Sequence, residues 1–470
     1  MKTSKRRSNR PQRFIVTKDG EGIANHVGSL ALRDLSDALG LTRALSEAMA
    51  PKRQRSSTHD HGQVLRDLVV MIADGGDCVS DLCALRDQPQ VFGQVASIPT
   101  AWRVITGMTK KDLKRIREAR RLARAQAWRR GAGPKEIVLD LDATLVNSHS
   151  EKKKATAPNF KRGFGFHPII CYLEETDEAL AGKLRPGNAT ANDIDDNIEV
   201  LEMALHQLPE SKRKRKILVR GDTACATHAF LDKVREHRLE FSVSLDLYEY
   251  VKEAILNMKE KDWVPAISQQ GEEREGAGGL PVEEHRPELL AGGNTGHLPE
   301  GRRRHRPSRG ERPHPGAQLK FTDVNGYRFQ VFITDQEDED IVHLEARHHG
   351  RARVENRIHC GKATGLENLP FHDFMPNCVW LELVLAAQDL IAFFQNLCLR
   401  GEAQEWDPKT LRYRLLHTAA RIVRTGRRFI LRCNRTGDVP LSSTTPSVDS
   451  GGSKPPPDST PTGSAPTNTP

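Results

Sequence analysis

Residues 137–146 read Ile137-Val138-Leu139-Asp140-Leu141-Asp142-Ala143-Thr144-Leu145-Val146. A strand period of two puts Asp140, Asp142 and Thr144 on one face of an otherwise apolar run. Two carboxylates there are costly unless a partner charge or a bound cation meets them. A salt bridge or an N–H donor is the alternative explanation for either acid, and it fits Asp140 better than Asp142.

Outward from this stretch, Phe164–Leu173 and Ala179–Leu184 read as two further strands. A helix near 193–207, a strand Ile217–Arg220, a helix near 226–237 and a strand Phe241–Leu245 follow. Three consecutive strands and then alternating helix and strand predict an α/β mixed sheet flanked by helices.

Asp222, in Arg220-Gly221-Asp222-Thr223, directly follows a strand and precedes a helix. Carboxyl ends of strands in such sheets are where ligands bind, although an Asp there also serves as an N-cap. Glu355 lies in Arg351-Ala352-Arg353-Val354-Glu355-Asn356-Arg357-Ile358-His359-Cys360-Gly361-Lys362. On a helix, Arg351, Glu355 and Lys362 share a face, and a plain ion pair of Arg351 with Glu355 is the simpler reading. Together, one acid on the first strand, one at a later strand end and one on a downstream helix make an oxygen ligand set for hard divalent cations. Two Mg²⁺ ions about 4 Å apart support in-line displacement at a phosphodiester. No Gly-rich phosphate loop lies between a strand and a helix.

The chain has 470 residues with 71 Lys and Arg against 62 Asp and Glu, a net charge of +9. That excess favours a polyanionic partner, nucleic acid above all. Residues 110–130 alone hold ten Lys and Arg against two acids. The spacing predicts a helix that docks through Leu113, Ile116, Ala123 and Ala127 and offers Arg117, Arg120, Arg121 and Arg124 to phosphates, a solvated charged face being the plainer alternative. Before it, helices are expected at 30–39, at 42–49 with Thr42 as N-cap, at 63–74 and from Pro99. Eight cysteines without a Cys-x-x-Cys pair offer no zinc ribbon or redox pair. With no run of about 18 apolar residues and no apolar stretch after the basic start, a soluble, unexported protein with no membrane partner is expected.

Residues 271–316 hold ten Gly, six Pro, no aromatic residue and no Ile, and are expected to be irregular. Leu319–Thr322 and Arg328–Thr334 read as strands around an Asn325-Gly326 hairpin signal. Helices are expected over 342–360, 380–400 and 408–424, and a strand over Phe429–Arg432. The Ser/Thr/Pro/Gly tail from Asn434 reads as disordered.

The segments around Asp142, Asp222 and Glu355 resemble the DDE transposases of bacterial insertion sequences, specifically the branch called transposase DDE domain, group 1. That family's third segment carries Tyr-x2-Arg-x3-Glu-x6-Lys, matched by Arg351, Glu355 and Lys362, with His348 at the Tyr place. Further similar blocks are Gly163-Phe164-Gly165-Phe166-His167-Pro168, Leu184-Arg185-Pro186-Gly187-Asn188-Ala189 and Gly365-Leu366-Glu367-Asn368-Leu369-Pro370-Phe371. The resemblance spans about 23–432.

It implies an RNase H-like mixed sheet with catalytic, metal-holding Asp142, Asp222 and Glu355 (Asp140 as the fallback first acid) and a two-metal Mg²⁺ site in which Mn²⁺ can substitute. Arg351 and Lys362 would contact DNA. The expected organisation is a disordered basic arm 1–22, a helical DNA-binding region 23–133, and the first part of the core 134–245. A strand-rich insertion 246–341, the last core helices 342–433 and a disordered tail 434–470 complete it. The implied function is cleavage at terminal inverted repeats and strand transfer into target DNA, by a homodimer acting in the cytoplasm on the nucleoid. A compensated reading-frame shift would explain 271–316, a second one the tail, and both would leave an impaired copy. The rival readings are a catalytically inactive remnant that occupies the ends and represses transposition, and a structure-specific nuclease on the same fold.

Overall fold

The computed structural model describes residues 21–53, 58–190, 193–210, 215–246, 263–267, 272–279, 304–309, 323–324, 327–337, 340–426 and 428–433. The arm up to residue 20, the expected strand 319–322, the turn pair 325–326 and the tail from 434 lie outside the described residues.

A ten-stranded sheet organises the chain. Its strands are β1 (Ile137–Ala143), β2 (Ile169–Leu173), β3 (Ala179–Lys183), β4 (Ile217–Gly221) and β5 (Glu240–Leu245), followed by β6 (Val264–Ile267), β7 (Glu273–Gly279), β8 (Arg304–Arg309) and β9 (Tyr327–Thr334). Their order across the sheet is β6-β7-β8-β9-β5-β4-β1-β2-β3, with the short strand Asp323–Val324 paired to β9. β1 runs parallel to β4 and antiparallel to β2, β4 parallel to β5, and β5 antiparallel to β9. The expected mixed sheet is therefore present. The central strands are buried on both faces, which is why their apolar runs are nearly continuous.

The helices are α1 (Ser29–Ala38), α2 (Leu41–Met49), α3 (His61–Ala73), α4 (Ile98–Thr106) and α5 (Lys110–Ala127), then α6 (Ile194–Gln207), α7 (His228–Glu236), α8 (Ile341–His349), α9 (Arg353–Gly361) and α10 (Phe374–Cys398). α5 starts at a capping box, in which the Thr109 and Asp112 side chains accept each other's backbone N–H. α2 is entered differently from expectation. Gly40, at φ 75°, occupies the N-cap place instead of Thr42, because the tight α1–α2 turn needs a left-handed residue.

α10 is the hub. It is long and apolar enough to cross a membrane by composition, yet it lies almost wholly inside the protein, packed against α3, α5 and β3. Leu65 of α3, Ile116 of α5, Leu139 of β1 and Trp380 of α10 belong to one buried cluster. The N-terminal helices thus share a core with the sheet.

Four expectations need correction. The strand expected over 164–173 divides at His167-Pro168, where Pro168 has no N–H for the ladder. Phe164–Phe166 joins a small separate sheet with Val146–Asn147 and Ala157–Pro158. The helix expected over 342–360 is interrupted by a turn at Gly350–Ala352. The helix expected over 408–424 is helical only to Leu416, and Ala420–Thr425 is a strand pairing with Arg428–Cys433 and Ile23–Ala24. Its Ile422, Val423 and Thr425 are β-branched, and Gly426 supplies a left-handed turn at φ 59°. Finally, the parts of 271–316 that are described, β7 and β8, are strands of the main sheet. Main-chain pairing with β6 and β9 orders them despite their poor apolar content.

Candidate active site

β1 and β4 are parallel neighbours whose ladder pairs Ile137 with Ile217 and ends with Asp140 beside Arg220. Two residues beyond that pair come Asp142 and Asp222, so the two acids sit side by side at the carboxyl ends of adjacent strands. The Asp142 carboxylate accepts the Ala143 N–H at 2.9 Å. Asp222 accepts the Ala224 N–H at 3.0 Å and caps the turn Thr223–Cys225. Glu355 stands in the first turn of α9, exposed to solvent. Burial pushes the Asp142 carboxyl up to about 6. The Arg351 guanidinium pulls it down, and the charges of Asp222 and Glu355 push it up again. The structure therefore brings the three sequence-predicted acids into one electrostatic neighbourhood.

Asp140 belongs elsewhere. It is wholly buried and takes two bonds from Arg220, Nε to Oδ1 at 2.7 Å and Nη2 to Oδ2 at 2.8 Å, plus Arg357 Nη1 at 3.1 Å. With its oxygens committed to two guanidiniums it has nothing to offer a cation, which removes the fallback ligand. Arg220 and Arg357 escaped the sequence reading. The available signal was Arg220 itself, a cation in the apolar strand directly before Asp222.

Arg351, in the turn before α9, sets Nη2 3.5 Å from the Asp142 carboxylate, and its buried Nε has no hydrogen-bond partner. Lys362 begins the turn that follows α9 and is half-buried. His348, at the family's Tyr place, is buried between Ser242 Oγ at 2.9 Å and Ser244 Oγ at 3.2 Å and stacks on Phe332 with ring centroids 4.4 Å apart. The place calls for a flat ring against the sheet, and His meets that requirement.

The arginines of α5 are the principal correction. Arg120 and Arg124 are buried. Arg120 pairs with Glu382 and with Asp389 at 2.8 Å; Arg124 pairs with Glu178 at 2.6 Å and Asp389 at 2.5 Å. Arg117 bonds Glu382 at 2.9 Å and Arg121 bonds Glu118 at 2.6 Å. Arg120 and Arg124 hold α5 to α10 and β3 and cannot meet phosphates. The open cations of this helix are Lys110, Lys111 and Lys114.

An all-oxygen donor set with unbalanced negative charge suits a hard divalent cation. Among the described residues, the groups whose potential ligand atoms all lie within 4.8 Å of one another are His26, Asp74 and His417, and Asp77, Cys78 and Asp81, so the carboxylates of Asp142, Asp222 and Glu355 stand wider apart than that. The first is a hydrogen-bonded clasp, with His26 Nδ1 at 2.6 Å from Asp74. The second is a cap in which Asp81 accepts the Asp77 and Cys78 N–H groups.

Among solved structures, the chain is similar to the piggyBac transposase in a synaptic complex with hairpin DNA. The two share 10% identity at a TM-score of 0.41, over 85% of this chain and 82% of that one. It is similar also to the Mos1 mariner paired-end complex with Mn, at 10% identity and a TM-score of 0.17, over 40% of this chain and 61% of that one. No curated protein matches it in sequence. The sequence pattern of the family described as Transposase DDE domain group 1 matches residues 7–437, and this chain belongs to that family.

Proposed function

We propose that the protein is the DNA transposase of an insertion sequence, cleaving at inverted-repeat ends and joining the 3′-hydroxyl to target DNA with Mg²⁺ held by Asp142, Asp222 and Glu355. The observation that carries this reading is the pairing of Asp142 and Asp222 at the ends of adjacent parallel strands, with the charge of Glu355 felt at Asp142. The strand order β3-β2-β1-β4-β5, antiparallel then parallel, supports an RNase H-like core. When bound, two divalent cations activate the attacking hydroxyl and stabilise the leaving oxygen. Arg351, with an unpartnered Nε beside Asp142, is placed to hold a phosphate oxygen, and Lys362 adds charge two helical turns beyond Glu355. A homodimer on the paired ends, acting in the cytoplasm on the nucleoid, fits the same reading. The strands β7 and β8 support an intact enzyme over an impaired copy.

The test is cleavage and joining of a duplex carrying the inverted repeat that borders the gene. Asp142→Asn, Asp222→Asn and Glu355→Gln should each lower cleavage about a thousandfold, the several kcal/mol that a metal-ligand charge supplies, while DNA binding stays within a few-fold. Binding without divalent-dependent cleavage in the unaltered chain would instead indicate a repressor remnant. Cleavage without joining would indicate a nuclease.

A further inference from the structure

The loop after β1 returns as a hairpin, Ala157 opposite Gly165 and Pro158 opposite Phe164, with Phe160 at its tip. The tip is rigid. Buried Asn159 accepts the Lys161 N–H at 3.0 Å and the Gly163 N–H at 2.9 Å, and Arg162 takes a left-handed φ of 61°. At the base, Gly165 lies so close to Val146 that a Cβ would come within 2.1 Å of its carbonyl oxygen. On this frame Phe160 is 74% exposed, flanked by exposed Lys161 and Arg162. Its ring is tilted at 57° against that of His167, with centroids 6.0 Å apart. His167 in turn is close enough to feel the charge of Asp222. A large apolar ring is thus held open to solvent, beside two cations, one residue removed from the catalytic acids.

We propose that Phe160 is a stacking platform for an unpaired nucleobase of the DNA end, with Lys161 and Arg162 meeting the neighbouring phosphates. The proposal rests on the transposase reading and adds a substrate contact to it. A flat apolar face beside cations, within reach of the reacting acids through one side chain, matches single-stranded nucleic acid, whose bases stack on aromatic rings without regard to sequence. The held backbone of the tip keeps the ordering cost of binding low.

The experiment is an abasic scan. A duplex of the DNA bordering the gene, with a short single-stranded 3′ end, is bound by the full-length chain without cleavage, in Ca²⁺, with each end nucleotide in turn made abasic. At one position, loss of the base should weaken the unaltered protein about five- to a hundredfold, the range of one base–aromatic stack, and should not weaken Phe160→Ala further. Phe160→Tyr and Phe160→Trp should restore the sensitivity, and Phe160→Leu should not. Equal abasic profiles for the unaltered chain and Phe160→Ala would overturn the proposal, as would full rescue by Phe160→Leu, which marks a generic apolar contact. Because the readout is binding, Asp142→Asn can be scanned alongside. If Asp142→Asn still cleaves, the assignment of the acids fails, whatever the scan shows.

Discussion

Two clusters of charge among the described residues are built on opposite principles. Around α5 and α10, Arg117, Arg120 and Arg124 face Glu382, Asp389 and Glu178 in a sealed, balanced network. At the ends of β1 and β4, the charges of Asp222 and Glu355 act on Asp142 with Arg351 against them, and the cluster is open to solvent on the Glu355 side. A balanced buried network holds elements together. An unbalanced one is costly alone and becomes favourable when a cation or a charged substrate arrives. Charge imbalance therefore separates site from scaffold.

The largest effect should come from breaking the balanced cluster. Arg124→Met takes the cation from buried Glu178, and Asp389→Ala takes from Arg120 and Arg124 the carboxylate they share, so either change unbalances the network and should lower unfolding stability by about 3–5 kcal/mol in denaturant titration. A loss below about 1 kcal/mol would mean the network is not sealed. In the acidic cluster the sign should reverse. The Asp142 carboxyl, raised to about 6 from 3.8, takes up its proton at higher pH in the folded chain than in the unfolded one, so it lowers stability as pH rises through that window. At pH 7 without divalent ions, Asp142→Asn should therefore stabilise the fold by about 3 kcal/mol. Destabilisation by that change would place Asp142 in the scaffold.

His348 sharpens the contrast from the basic side. Burial pushes it down to about 3 from 6.5, and Arg351 and Arg220 act the same way. Below about 6.5 the unfolded chain gains a proton that the folded one refuses, so this residue should contribute a fall in stability as pH drops toward 3. The slope is about 1.4 kcal/mol per pH unit, and it should vanish in His348→Tyr, which keeps a ring on Phe332. An unchanged slope would show that His348 is protonated in place. The smallest effect concerns DNA. Replacing Lys110, Lys111 and Lys114 by Gln should reduce the salt dependence of binding by about 0.9 for each phosphate that is no longer neutralised. An unchanged slope would assign α5 no part in DNA binding.

How much of this was legible follows from where each partner lies in the chain. The alternation of β1 marked Asp142, and the strand–turn pattern marked Asp222, because both signals are local. The same alternation could not separate Asp140 from Asp142, since Arg220, which claims Asp140, lies 80 residues away. Arg120 and Arg124 looked DNA-facing for a similar reason: of the acids that pair with them, Glu382 and Asp389 are on α10, more than 250 residues on, and Glu178 is 54 residues on. A clue was present in α10 itself, where Glu382 and Asp389 recur two turns apart as the charged residues of an otherwise uncharged, largely apolar helix and require cations to face them. Ala420–Thr425 was hidden because six residues cannot establish a period against a helical start at Pro408. The glycine-rich β7 carries almost no side-chain signal and is ordered by its neighbours' backbone.

The central claim is that Asp142, Asp222 and Glu355 bind divalent cations, and calorimetric titration of Mn²⁺ into the full chain tests it most directly. The unaltered protein should bind, and binding should be lost in Asp142→Asn and in Asp222→Asn, weakened in Glu355→Gln, and unchanged when His26 and His417 are both replaced by Gln. Binding that survives in Asp142→Asn and Asp222→Asn but disappears with the two histidines would contradict the claim and place the metal in the His26–Asp74–His417 clasp.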